Sequence, residues 1–171
     1  VVVNTKPVAT ASSNSPVCEG SIISLTGGPS GMTTYNWTGP GGWTSSVQNP
    51  TRSNATLAMA GTYTLTVTDS NGCVSDPAST NVVVNTKPVA TASSNSPVCE
   101  GSIISLTGGP SGMTTYNWTG PGGWTSSVQN PTRSNATLAM AGTYTLTVTD
   151  SNGCVSDPAS TNVVVNTKPV A

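Results

Sequence analysis

Apolar and polar residues alternate strictly along Ala60-Gly61-Thr62-Tyr63-Thr64-Leu65-Thr66-Val67-Thr68-Asp69, with Tyr63, Leu65 and Val67 on one face and four threonines on the other. Period two in β-branched and aromatic residues predicts a half-buried strand. The Asp69-Ser70-Asn71-Gly72 that follows predicts a turn, because Asn and Gly tolerate positive φ. Upstream, Pro7–Ser12 predicts an edge strand opened by proline, Ser15–Gly20 a turn, and Ser21–Thr26 a strand with Ile23 and Leu25 inward. Gly27–Gly31 reads as a loop by composition, and Thr33–Thr38 as a strand with Tyr35 and Trp37 inward, broken by Gly39-Pro40-Gly41-Gly42. Trp43–Val47 predicts a short strand, Asn49-Pro50-Thr51 a turn and Asn54–Leu57 a further strand. The last strand opens at Cys73, is interrupted at Asp76-Pro77 and ends as Val82-Val83-Val84. Helical periodicity is absent. Seven or so short strands with a turn about every ten residues predict an all-β sandwich.

The pattern then starts again. Val1-Val2-Val3-Asn4-Thr5-Lys6-Pro7 recurs at Val82 and at Val163, a period of 81 residues with identical copies. A period this long marks an array of domains, each able to bury one modest core. The expected organisation is repeat 1 over 1–84, repeat 2 over 85–165, and the opening of a third over 166–171. Only Asn85-Thr86-Lys87 separates the last strand of one repeat from Pro88, which opens the next. A linker so short predicts repeats stacked end to end as a rod.

Composition removes several functions. Charged residues are 6% of the chain and the net charge is −1, so no basic patch awaits nucleic acid. The absence of His excludes a Ser-His-Asp triad. Without His and without a Cys-x-x-Cys pair, a zinc site is not expected either. Glu19, Asp69 and Asp76 are the only carboxylates of the repeat, and nothing brings two of them to a cleft. Asp69, Asn71 and Asp76 are few oxygens for a calcium ion, so no metal or cofactor is expected. No apolar run approaches the ~20 residues of a membrane span. Two cysteines per repeat (Cys18 and Cys73, then Cys99 and Cys154) read as disulfides made in an oxidising compartment. No signal peptide precedes them, which suggests an interior piece of a longer secreted chain.

Leu25, Trp37 and Ala60-Gly61-Thr62-Tyr63-Thr64-Leu65 resemble an immunoglobulin-like domain, whose B-strand core residue, C-strand Trp and F-strand Tyr follow this spacing. Leu25 and Leu65 stand where antibody domains carry their inter-sheet cysteines. With Pro16-Val17-Cys18-Glu19-Gly20, Tyr35-Asn36-Trp37-Thr38-Gly39-Pro40 and Asp69-Ser70-Asn71-Gly72-Cys73, the whole repeat is similar to the immunoglobulin-like or PKD-like modules of large Bacteroidota surface proteins, adhesins and gliding proteins among them.

That resemblance implies tandem immunoglobulin-like β-sandwiches of about seven antiparallel strands, with Leu25, Trp37, Tyr63 and Leu65, and their copies Leu106, Trp118, Tyr144 and Leu146, in the cores. It implies an extracellular, bacterial cell-surface setting and a non-enzymatic structural or adhesive role. The expected partners are neighbouring repeats of the same chain, other copies in a filament, and surface glycans. In the alternative function, a carbohydrate-binding module, Trp43 and Trp124 beside their Gly-rich loops face the glycan. The family's strand directions leave two disulfide patterns open. Cys18–Cys73 and Cys99–Cys154 within repeats is the usual arrangement; Cys18–Cys154 between repeats, with Cys73 and Cys99 pairing to flanking repeats of a longer chain, fits better if the two sites of one domain lie at opposite poles.

Overall fold

A computed structural model describes all 171 residues and divides them into two units, Val1–Thr86 and Lys87–Ala171. In the first, the alternating stretch forms β7 (Gly61–Thr68), and Tyr63, Leu65 and Val67 are fully buried. β7 is the middle of a four-stranded antiparallel sheet ordered β5 (Trp43–Ser45), β4 (Thr34–Gly39), β7, β8 (Ala78–Val82). Trp37 of β4 lies opposite Leu65, and Gly61 opposite Val82. The facing sheet is β1 (Thr10–Ser13), β3 (Ile23–Gly28) and β6 (Thr51–Arg52). A parallel pair, β2 (Val17–Cys18) with β9 (Val84–Asn85), closes one end by matching Val17 to Val84 and Cys18 to Asn85.

The second unit repeats this with β10 (Thr91–Ser94), β11 (Val98–Cys99), β12 (Ile104–Gly109), β13 (Thr115–Gly120), β14 (Trp124–Ser126), β15 (Thr132–Arg133), β16 (Gly142–Thr149), β17 (Ala159–Val163) and β18 (Val165–Asn166). The fold is all-β, two tandem sandwiches of immunoglobulin-like architecture.

Each core is small. Ile23, Leu25, Trp37, Tyr63, Leu65, Val67, Val82 and Val84 meet between the sheets. The second core holds Ile104, Leu106, Trp118, Tyr144, Leu146, Val148, Val163 and Val165. Leu25 and Leu65 fill with aliphatic carbon the space that antibody domains give to sulfur, and Trp37 anchors its indole N–H on Gln48 O at 3.1 Å. At ~25 cal/mol per Å², full burial of each such side chain contributes about 1.5–3 kcal/mol.

Several local expectations change. Val17 and Cys18 are a strand, not part of a turn, and β3 continues through Gly27 and Gly28. A Cβ on Gly27 would lie 2.9 Å from Leu65 Cδ2 and 3.1 Å from Trp37 Cζ2, so the core itself occupies the side-chain space. Thr51–Arg52 pairs with Ile23 and Ser24 as β6. Asn54 instead takes a left-handed φ of 54°, and Leu57–Met59 forms one 3-10 turn, so the strand expected there is absent. Tyr35 is half-buried, its hydroxyl donating to Pro29 O at 2.9 Å. After Cys73 the chain crosses by a buried Ser75, whose N–H and Oγ both bond to the backbone of Val67, before β8 begins.

Candidate functional site

The features with distinctive chemistry are the cysteines at the sandwich ends and a cluster around Arg52. Cys18 ends β2 beside Asn85, and the next amide, Glu19 N–H, donates to Asn85 O at 2.8 Å. Cys73 ends the turn after β7. Asp69 shapes that turn: its Oδ1 accepts from Asn71 N–H and Cys73 N–H, each at 2.9 Å, and its own N–H donates to Cys73 O at 3.1 Å. The registers put these sites at opposite poles of one sandwich. Asn85 lies beyond the Gly61 end of β7, because Val82 pairs with Gly61, whereas Cys73 lies beyond the Thr68 end. The eight residues of β7 alone span roughly 23 Å at ~3.3 Å per step. Disulfide Cα atoms must come within about 7 Å.

Cys18 and Cys154 are disulfide-bonded, and Cys73 and Cys99 carry free thiols. The strand registers hold the two cysteine sites of one repeat at opposite poles, farther apart than a disulfide spans.

Trp43 is half-buried, with its ring edge-on to Tyr63 at 5.5 Å between centroids and the Arg52 guanidinium 5.2 Å from its centroid. Arg52 Nη1 donates to the Tyr63 hydroxyl at 2.8 Å and reaches Pro40 O at 3.4 Å. The Tyr63 hydroxyl in turn donates to Met59 O at 2.8 Å, the backbone-capping corner that immunoglobulin-like domains build on this tyrosine. Trp124, Arg133, Tyr144 and Met140 repeat the cluster with the same distances. Trp43 and Trp124 thus each contact an arginine and a tyrosine of their own repeat and stay part-exposed. Sequence reasoning missed Arg52, a lone cation in a polar segment with no periodicity around it.

The carboxylates are separate. Asp69 serves its turn, whereas Asp76 is exposed and accepts from Lys6 Nζ at 2.8 Å. That hydrogen bond first, and the Asp76 charge second, raise the Lys6 pKa above the usual 10.5. Pro7, Val8, Ala9, Asp76 and Pro77 line a shallow cavity of about 160 Å³ beside the pair, with no second titratable group in it. No helix is long and apolar enough to cross a membrane.

Two-sheet sandwiches in tandem, each with a tyrosine corner, define the class: immunoglobulin-like modules, generally binding or structural rather than catalytic. The chain belongs to the PKD-like domain family, which matches residues 4–84 and again 85–165. No curated protein matches it. Among solved structures it is similar to murine CEACAM1b, at 13% identity and a TM-score of 0.42 over 92% of this chain and 100% of that one. The three N-terminal domains of the bacteriophage RB49 outer capsid protein Hoc give 20% and 0.44 over 92% of this chain and 59% of that one. The amphioxus IgVJ-C2 molecule gives 20% and 0.39 over 85% and 97%. Tandem domains of this family that hold a disulfide are typical of extracellular structural and adhesive chains.

Proposed function

We propose that the chain is a non-enzymatic, load-bearing segment of an extracellular rod on a bacterial surface, and that a Cys18–Cys154 bridge ties each repeat covalently to the next. The observation that carries this reading is the bonding state of the cysteines: one from each repeat is oxidised, and the sites within a repeat are too far apart to meet. Oxidised cysteines fit an extracytoplasmic setting. Threonine-rich outer faces keep a nearly uncharged rod hydrated, and the bridge takes tension off the sheets.

The mechanical consequence is large. Residues 19–153 lie inside the covalent loop, so a pull on the chain ends bypasses both sandwiches once the bridge is taut. The test is single-molecule extension with handles at both termini. With the bridge intact, only about 35 residues extend, giving ~120 Å at ~3.5 Å per residue; reduction releases a further ~470 Å, for ~600 Å in all. A limiting extension near 200 Å before reduction, as two within-repeat bridges would give at the same ~3.5 Å per residue, contradicts the proposal.

A further inference from the structure

Arg52 is half-buried and has no carboxylate partner, whereas Lys6 of the same repeat has Asp76. A guanidinium carries five N–H donors in a planar fork. Nη1 is engaged inside the repeat, by the Tyr63 hydroxyl at 2.8 Å and Pro40 O at 3.4 Å. Nε and Nη2 bond to nothing in the chain. No unpaired side-chain nitrogen is sealed from water, so this edge of the fork faces solvent. It is the edge that takes a carboxylate by two parallel hydrogen bonds. The bond to Tyr63 and the place over Trp43, 5.2 Å from its centroid, already hold the guanidinium still, so little side-chain freedom is left to lose on binding.

Beside the fork lie the part-exposed Trp43 ring and open space. Pro40, whose carbonyl touches Arg52, leads into Gly41 and Gly42 at φ of 74° and 72°, where a Cβ would meet nothing within 4 Å. Arg133, Trp124 and Gly122-Gly123 repeat the arrangement.

We propose that each corner binds one uronic acid unit of a polysaccharide, its carboxylate on the Nε–Nη2 edge and the C–H face of its ring against the tryptophan. The site lies wholly inside one repeat and stands whether or not the repeats are bridged. One unneutralised cation suits one carboxylate, and a chain of net charge −1 offers no basic surface to a dense polyanion. The aromatic ring beside the fork suits a ligand whose carboxylate is fixed to a ring with an apolar face. An Asp or Glu side chain has the charge without the face, and a neutral sugar has the face without the charge. The open glycine loop leaves room for the units that flank the bound one. One site per repeat also gives a repetitive polymer several points of attachment, which raises avidity without any new contact.

The test is an NMR titration of the isotope-labelled chain with trigalacturonic acid, its methyl ester and triglutamate. Arg52 and Arg133 are the chain's only arginines, so the Arg Nε–H region reports the two corners alone. Trigalacturonate is expected to move these signals and the indole N–H signals of Trp43 and Trp124 together and saturably. The indole signals of Trp37 and Trp118, bonded to Gln48 O and Gln129 O, should stay in place. The ester and triglutamate should each bind about tenfold or more weakly, because one lacks the charge and the other the ring. Arg52→Lys keeps the charge and loses the fork: Trp43 should stop responding while Trp124 still responds, with an unshifted Trp37 indole signal showing that repeat 1 is folded. A Trp43 that still responds in the folded variant overturns the proposal. In the parent chain, where no variant need fold, unmoved Arg Nε–H signals or an ester that binds as well as the acid overturns it too. A triglutamate that binds as well as the uronate does the same, in favour of an acidic peptide.

Discussion

Replacing Tyr63 by Phe removes one oxygen atom and two hydrogen bonds, leaving a fully buried ring of nearly the same shape. Met59 O loses its donor and Arg52 Nη1 loses its shortest acceptor, keeping only Pro40 O at 3.4 Å and its place over Trp43. A neutral hydrogen bond contributes about 0.5–1.5 kcal/mol and one to a charged group about 1.5–3, with part of the second recovered because half-buried Arg52 turns to water. The net cost is therefore about 2 kcal/mol. In a domain of this size that lowers Tm by about 8–16 °C. The urea midpoint falls by about 2 M if m is ~1 kcal/mol/M. Tyr144 makes the same bonds in the second repeat and serves as an internal control. With reductant present, Tyr63→Phe should split one unfolding transition into two, the lower from repeat 1, and Tyr144→Phe should give the mirror result. A single transition with a midpoint within about 0.3 M of the parent would refute the load assigned to the corner.

Gly39→Ala should destabilise by about 1–3 kcal/mol in the same urea assay, because its Cβ would sit 2.6 Å from the Tyr63 ring. Gly31→Ala, with nothing within 4 Å but a φ of 79°, should lose only the ~1–2 kcal/mol of left-handed strain. Asp69→Ala frees the amides of Asn71 and Cys73, so their hydrogen exchange should speed at least tenfold, matching a loss of about 1.4 kcal/mol, while Asp69→Asn keeps most protection. Lys6 titrates above the ordinary 10.5, so its contribution is fully present below that pH and is lost as pH rises through the higher folded value. NMR titration of Lys6 should show the midpoint returning toward 10.5 in Asp76→Asn; an unmoved midpoint contradicts the pairing.

The strands legible in the sequence are those with one buried and one wet face. β7, β4 and β3 announce themselves because every second residue is removed from water, and the core residues Leu25, Trp37, Tyr63 and Leu65 follow from that period. The two-residue strands do not. β2 pairs through Val17 and Cys18 alone, between a proline and a glycine that signal a turn, and only its contact with β9 makes it a strand. Gly27 and Gly28 read as loop because glycine is permissive, yet Gly27 is in β3 because Trp37 and Leu65 need its missing side chain. Polar side chains that complete the backbone ladder were equally silent. Asn14 accepts from Ser24 N–H and donates to Ile22 O at 2.9 Å each, and Asn49 accepts from Gly27 N–H at 3.0 Å. Local sequence carries no period for such long-range bonds. The cysteine sites were visible as residues, but their placement at opposite poles of one sandwich waited on strand register.

The bridge between repeats is tested most directly by a tryptic map of the denatured, thiol-blocked and unreduced chain. All three lysines precede proline and resist cleavage, so the cuts after Arg52 and Arg133 leave residues 1–52, 53–133 and 134–171, with Cys18 in the first, Cys73 and Cys99 in the second and Cys154 in the third. The expected result is 1–52 joined to 134–171, with 53–133 free and carrying two blocked thiols. Recovery of 53–133 covalently joined to both of the others would show within-repeat bridges and contradict the account.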